Sequence, residues 1–313
     1  MGGNNCKLGC GGSTAVSDSI CKFDKKFSWI KKDYRTLDEV SEALKAKGLK
    51  SVNPILGFCF TQSKWTTEKS LHYIGNDPND YEKVVSIIGR TLAAICGDNY
   101  IHCFGFGDAT TIDTHVFSFY EDKKPCHGFE EVVERYRQIA CQMRLADLKS
   151  FVRIVEMATS IASKKCDQHH ILVMIADGPV TRSSDTEHGK LSDEEQQTVN
   201  AISKASKYPL SIILVGVGEK NANMMKGLES KIPHCTTFDN FQYVNYTDIM
   251  SRVPEGRREI EFTLAATKKL PNQVIAIEKL IASTRFTNNK AMEMDWDSTA
   301  PPIPVSGTPN QPL

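Results

Sequence analysis

Two runs constrain this chain more than anything else in it: ILVMIA (Ile171–Ala176) and LSIILVGVG (Leu210–Gly218). Both are apolar almost throughout, without alternation. A strand with one wet face alternates apolar and polar residues, so strands like these must be covered on both faces. Both are also far short of the ~20 apolar residues needed to span a bilayer. Around them lie segments with helical spacing. Tyr81, Val84, Val85, Ile88 and Leu92 share one helical face within Pro78–Ile95. Phe129–Cys141 and Phe151–Ser163 read as helices, and Ser192–Lys207 as an amphipathic helix with a charged, solvated face. Thr36 to Glu39 is a capping-box pattern, and its helix should end near Gly48.

SVNPILGFCF (51–60), IHCFGF (101–106), VFSF (116–119) and FQYVNY (241–246) read as further strands. A short helix is expected around Asn223–Leu228, one after Thr247, and another over Gln273–Ala282. Apolar strands separated by helices predict an α/β fold: a doubly wound, mostly parallel sheet with helices on both faces. The small, polar, Gly-rich residues 1–35 predict a flexible leader. Residues 36–283 form the domain, and 284–313, ending in STAPPIPVSGTPNQPL, predict a disordered Pro-rich tail.

Lys+Arg and Asp+Glu balance at 38 each, which argues against a general nucleic-acid binder. The 10 cysteines are scattered and lack zinc-finger pairing, so they read as reduced thiols, several of them core residues. In a doubly wound sheet, ligands sit at the carboxyl ends of the strands. The loops there are Cys59–Ser63, Gly105–Thr111, Asp177–Ser184 and Gly218–Asn221, and the inter-helix loop Leu145–Ser150 can reach the same rim. None is a dinucleotide-binding or Walker loop, and no paired carboxylates or triad accompany a placed nucleophile. Enzymatic chemistry and a small-molecule substrate are therefore not expected.

The stretches FTQSKW, SLHYIGNDPNDYEKVVSIIGRTLA, CFGFGDATT, GFEEVVERYR, MIADGPVTRSSDTEHG and FDNFQYVNYTDIM follow one another in order. Over about Leu37 to Ala282 the chain resembles the copine-type von Willebrand factor A domain, close to the plant ubiquitin ligases that carry a copine-like domain and a RING. The resemblance implies a six-stranded sheet and, at its strand ends, a metal-ion-dependent adhesion site. That site has the form D-x-[ST]-x-S, completed by a Thr from a helix-connecting loop and a late Asp, with Mg²⁺ or Mn²⁺ bound through oxygen. Carried over, Thr61 and Ser63 match the hydroxyls and Asp177 the late aspartate. Cys59 stands in place of the first aspartate and Lys149 in place of the threonine.

A thiol is a poor ligand for a hard cation. An ammonium at that position would repel a metal by roughly 4 kcal/mol per unit charge at an effective dielectric constant of 20. The expectation is a degenerate site in which Lys149 takes the cation's place beside Asp177, with no cofactor held tightly. Asp147 leaves room for weak Mg²⁺ or Mn²⁺ binding. Asp108, Thr111 and Arg182 are candidates for a partner-binding rim, with turn-forming and loop-fixing roles as the plainer readings.

MGGNNCKLGCGG opens the chain. Gly2 is placed for myristoylation, and Cys6 and Cys10 for palmitoylation, although Cys6 replaces the usual hydroxyl residue of the myristoylation motif. A single acyl chain anchors weakly, so a second signal matters. The expectation is a non-enzymatic adaptor that binds proteins through its strand-end rim and sits on the cytoplasmic face of a membrane, the plasma membrane, with a soluble cytosolic or nuclear adaptor as the alternative. Too few residues precede Leu37 for the paired C2 domains of family copines. A RING needs two sets of Cys/His zinc ligands. No Cys or His follows Cys235, so ligase chemistry from these residues is not expected, although a part in ubiquitination is a further alternative.

Overall fold

The computed structural model describes residues 34–61, 70–111, 113–183, 185–187, 189–218, 222–232 and 237–294. Among these residues there are seven strands: β1 (Asn53–Cys59), β2 (Tyr100–Phe106), β3 (Phe117–Ser118), β4 (Cys126–His127), β5 (His170–Ala176), β6 (Leu210–Gly216) and β7 (Phe241–Asn245). The helices are α1 (Leu37–Ala46), α2 (Asp80–Ala93), α3 (Gly128–Ala140), α4 (Val152–Lys164), α5 (Asp193–Ala205), α6 (Ala222–Lys231), α7 (Tyr246–Arg252), α8 (Arg258–Thr267) and α9 (Leu270–Met294), with a 3₁₀ turn at Glu255–Arg257.

The sheet runs β3-β2-β1-β5-β6-β7, with β4 also on β2. β2, β1, β5, β6 and β7 are mutually parallel, whereas β3 and β4 pair with β2 antiparallel. β5 and β6 are buried at every residue, as their unbroken apolar runs require. One face packs β1 residues Leu56 and Phe58 with α1, α2, α3 and α8. The other packs Ile55 and Cys59 with α4 and α5. Gly57 makes room for the second face, since a Cβ there would lie 2.7 Å from Cγ1 of Ile154 on α4.

The capping signal at Thr36 acts as read, and two further caps accompany it. Thr36 caps α1 by accepting from the Glu39 amide, and Gly48 takes φ +97° just beyond its end. Asn79 with Glu82 and Ser192 with Glu195 form full capping boxes on α2 and α5. Several features differ from the sequence reading, among them α8, which it did not mark. The sheet has a seventh strand, β4, whose two residues are too few to show a period. Tyr246 opens α7 instead of ending β7, because Asn245 caps that helix. Finally, α9 runs to Met294, past the expected end at Ala282 and into the span read as a disordered tail. No Gly or Pro lies between Asn272 and Ser298 to stop it. Among the described residues no helix is long and apolar enough to cross a membrane.

The topology fixes where a site can form. Neighbouring strands β1 and β5 are followed by connections that leave in opposite directions, to β2 on one side and β6 on the other. Such a switch point opens a crevice at the carboxyl ends of the two strands.

Candidate functional site

That crevice gathers the residues the sequence singled out. Cys59 ends β1, Thr61 follows two residues later, and Asp177 follows the last residue of β5. Lys149 arrives on the loop between α3 and α4. This loop is stitched to three strand ends. Ala146 bridges Thr61, Leu145 bridges Asp108, and Lys149 exchanges two bonds with Thr181: its amide donates to Thr181 Oγ1 (2.7 Å) and its carbonyl accepts from the Thr181 amide (2.9 Å). Lys149, Asp177, Thr61 and Cys59 are all buried.

Lys149 Nζ donates to Asp177 Oδ1, forming a buried ion pair. The Thr61 hydroxyl donates to the same oxygen at 3.0 Å. The Cys59 thiol lies 3.3 Å from Thr61 Oγ1. Burial pushes that thiol up to about 11, with Lys149 opposing the shift and Asp177 adding to it, so it is protonated at neutral pH. Because Thr61 spends its hydrogen on Asp177, the Cys59 S–H is the donor in the third contact. A polar chain results: thiol to hydroxyl to carboxylate, with an ammonium closing it.

A hard divalent cation does not fit this set. The carboxylate oxygen that would bind it already holds Nζ. The thiol is neutral and soft, and a cation would sit beside a positive charge in a buried place. Asp147 is exposed, and its carbonyl, not its carboxylate, meets Thr181 Oγ1 at 3.4 Å. Ser63, Gly2, Cys6 and Cys10 lie outside the described residues.

A second network, unmarked in the sequence, supports the end of β1. The Cys59 carbonyl accepts from Tyr81 Oη (3.0 Å) and faces His72 Nε2 (3.0 Å). A carbonyl only accepts, so Nε2 carries the proton and Nδ1 accepts from Tyr136 Oη at 2.9 Å. Asn79, the cap of α2, donates to the same Tyr136 oxygen at 3.3 Å. Burial lowers His72 to about 4, which keeps this tautomer neutral. Tyr136 lies 64 residues from His72, and Tyr81 reads in the sequence only as part of a helical face.

The rim candidates divide. Asp108 is buried. Oδ2 accepts from the Thr110 amide (3.0 Å) and hydroxyl (2.5 Å), and Oδ1 accepts from the Thr111 amide (3.2 Å) and hydroxyl. Burial raises this carboxyl, but these four bonds outweigh it and hold it below the usual range. Asp108 and Thr111, itself buried, thus shape the loop from within. Arg182 spans to Glu195 (3.3 Å) and to the Glu187 carbonyl (2.8 Å), which fixes its own loop.

The Copine family model matches residues 70–285. The chain is 52% identical over 266 residues to the E3 ubiquitin-protein ligase RGLG1 of Arabidopsis thaliana, covering 83% of this chain and 54% of that protein. To RGLG3 of the same plant it is 46% identical, covering 80% of this chain and 70% of that one. To Copine family protein 2 of Caenorhabditis elegans it is 35% identical over 79% of this chain and 3% of that protein. The chain thus spans little more than half of RGLG1. Among solved structures, a von Willebrand factor type A protein from Catenulispora acidiphila is similar at TM-score 0.39 and 10% identity, covering 70% of this chain and 42% of that one. That likeness is too slight to add to what the sheet order shows.

Proposed function

This chain belongs to the copine family, and we propose that its A-type domain is a non-enzymatic protein-interaction module whose strand-end site works without a metal. One observation carries the reading: Lys149 Nζ is bound to the Asp177 carboxylate where a cation would otherwise sit. Thr61 and the protonated Cys59 complete the contacts, so the crevice is shaped and electrically balanced by its own side chains. With Asp108, Thr111 and Arg182 committed internally, partner contacts fall to the outer surfaces of the loops they brace.

The test is partner capture in the presence of excess Mg²⁺ and of chelator. The module should hold the same partners in both, and lose them in Lys149→Glu. Partners lost on chelation alone would overturn the reading.

The same proposal places the module at the cytoplasmic face of the plasma membrane, through acylation at Gly2 with Cys6 and Cys10 as the second signal. A fluorescent fusion should lose membrane enrichment in Gly2→Ala. Identical diffuse distributions of the two forms would remove the anchor and leave a soluble cytosolic or nuclear adaptor.

The similarity to RGLG1 favours a second reading, a part in ubiquitin transfer. Among the described residues no group of three or more His, Cys, Asp or Glu is placed to hold a metal ion as a RING would, so the part this domain would play is recruitment. Purified chain should then give no autoubiquitination with ubiquitin-activating and -conjugating enzymes. Conjugates formed by the chain alone would contradict the non-enzymatic assignment.

A further inference from the structure

Away from the crevice, at the β2 edge of the sheet, two cysteines share one face of neighbouring strands. β4 pairs with β2 so that Tyr100 opposes His127 and Ile101 opposes Cys126. Residues two apart on a strand point to the same side, which sets Cys103 diagonally across from Cys126. Ile101, Cys103 and Cys126 lie in the same apolar cluster. Both cysteines are almost fully buried, at 2% and 1% exposure; the Cys103 thiol donates to the Ile101 carbonyl at 3.6 Å, and the two sulfurs are close enough to shift each other's titration. Cys141 and Cys166, by contrast, are exposed.

The two strands differ in how firmly they are held. β2 carries seven residues and is paired with β1, β3 and β4. β4 has only two residues. Exposed residues 121–124 precede it, and Gly128 at φ +81° turns the chain straight after it. A short edge segment of this kind opens locally at far lower cost than the whole domain unfolds. Cys126 is therefore the sulfur that a solvent-borne oxidant reaches, and Cys103 the one that waits on the rigid strand.

We propose that Cys103 and Cys126 form a dithiol oxidation site, closed to a disulfide by a peroxide. The Cys126 thiolate attacks one peroxide oxygen and the O–O bond breaks. The departing hydroxide takes up a proton, leaving water and a sulfenic acid on Cys126. The Cys103 sulfur then attacks the Cys126 sulfur, and the hydroxyl leaves as a second water. Overall, two thiols and one hydrogen peroxide give one disulfide and two waters, with sulfur oxidised and oxygen reduced.

Local electrostatics suit these roles. The contact with Cys103 lowers the Cys126 thiol against the pull of burial and Glu131, with Arg135 and Lys124 helping, whereas burial holds Cys103 well above the usual thiol range. The cross-link would close the chain segment that contains β3 and the Asp108–Thr111 turn, so oxidation at this edge would restrain part of the strand-end rim.

The experiment uses the whole folded chain. Hydrogen peroxide is applied, remaining thiols are blocked with N-ethylmaleimide under denaturing conditions, and the chain is digested with trypsin without reduction. Cleavage after Lys123 puts Cys103 and Cys126 on different peptides, and fragment spectra separate Cys103 from Cys96 on the same peptide. The expected result is a cross-linked pair joining Cys103 to Cys126, two hydrogens lighter than the sum and reversed by dithiothreitol. In Cys103→Ser the cross-link should vanish and dimedone should mark Cys126. In Cys126→Ser, dimedone should not mark Cys103. The proposal is overturned if both cysteines are recovered as maleimide adducts under peroxide that oxidises Cys141 or Cys166. The wild-type map alone decides this should either serine variant misfold.

Discussion

Replacing Lys149 by Met keeps the aliphatic bulk and removes the charge. Asp177 would then be left with a buried carboxylate, its side chain only 2% exposed. The Thr61 hydroxyl would remain on it at 3.0 Å. Breaking a buried pair by deleting one partner costs about 3–5 kcal/mol, because the remaining charge keeps its desolvation penalty. The surviving Thr61 bond points to the lower end, about 3 kcal/mol. At roughly 2–4 °C per kcal/mol for a domain of this order, the midpoint should fall by about 6–12 °C. Urea unfolding followed by circular dichroism should show a lower midpoint at unchanged slope. The double variant Lys149→Met/Asp177→Asn should recover part of the loss, since no lone charge is then buried. A loss under about 1 kcal/mol, the scale of an exposed pair, would refute the buried pairing.

Other expectations follow from the same geometry. His72 is lowered to about 4 and His169 to about 3, in both cases first by burial. The unfolded chain therefore protonates first as pH falls below about 6.5. Stability should be full above that value and decline towards pH 4, by about 1.4 kcal/mol per pH unit for each histidine in this window. Urea midpoints from pH 7 to 4 should trace that slope, and it should flatten in His72→Gln; an unchanged slope in that variant would contradict the assignment. A Cβ on Gly105 would lie 2.0 Å from Cζ of Phe117, so Gly105→Ala should lower stability by about 1–3 kcal/mol as the ring is displaced. Asp108→Ala removes four hydrogen bonds that hold the β2–β3 loop, and amide exchange at Thr110 and Thr111 should speed up while that at β5 stays slow.

Much of this architecture was legible because its strongest signals are local. The apolar runs at 171–176 and 210–216 became the buried strands β5 and β6, and the capping pattern at Thr36–Glu39 became a helix start. β4 was not legible, since two residues carry no period and its pairing depends on the edge that β2 presents. The far end of α9 was missed because the prolines beyond residue 300 were read as reaching back further than they do.

At the site, the four side chains were identifiable one by one through the resemblance, and their charges alone suggested that Lys149 would pair with Asp177. The direction of the hydrogen bonds was not legible, because it follows from the burial that keeps the Cys59 thiol protonated. His72 and Tyr81 converge on one carbonyl, with Tyr136 bonded behind His72, only after α2 and α3 pack on β1. The same packing turned Asp108 and Thr111 inward, in keeping with the turn-forming role that was the plainer of their two sequence readings.

The central claim is that a lysine stands in for a cation in this crevice. Isothermal titration of Mg²⁺ and Mn²⁺ into the wild-type chain and into Cys59→Asp/Lys149→Thr tests it most directly. Wild type should give no saturable heat, and the folded double variant should bind. Micromolar affinity in the wild type, or silence from a folded double variant, would contradict the account.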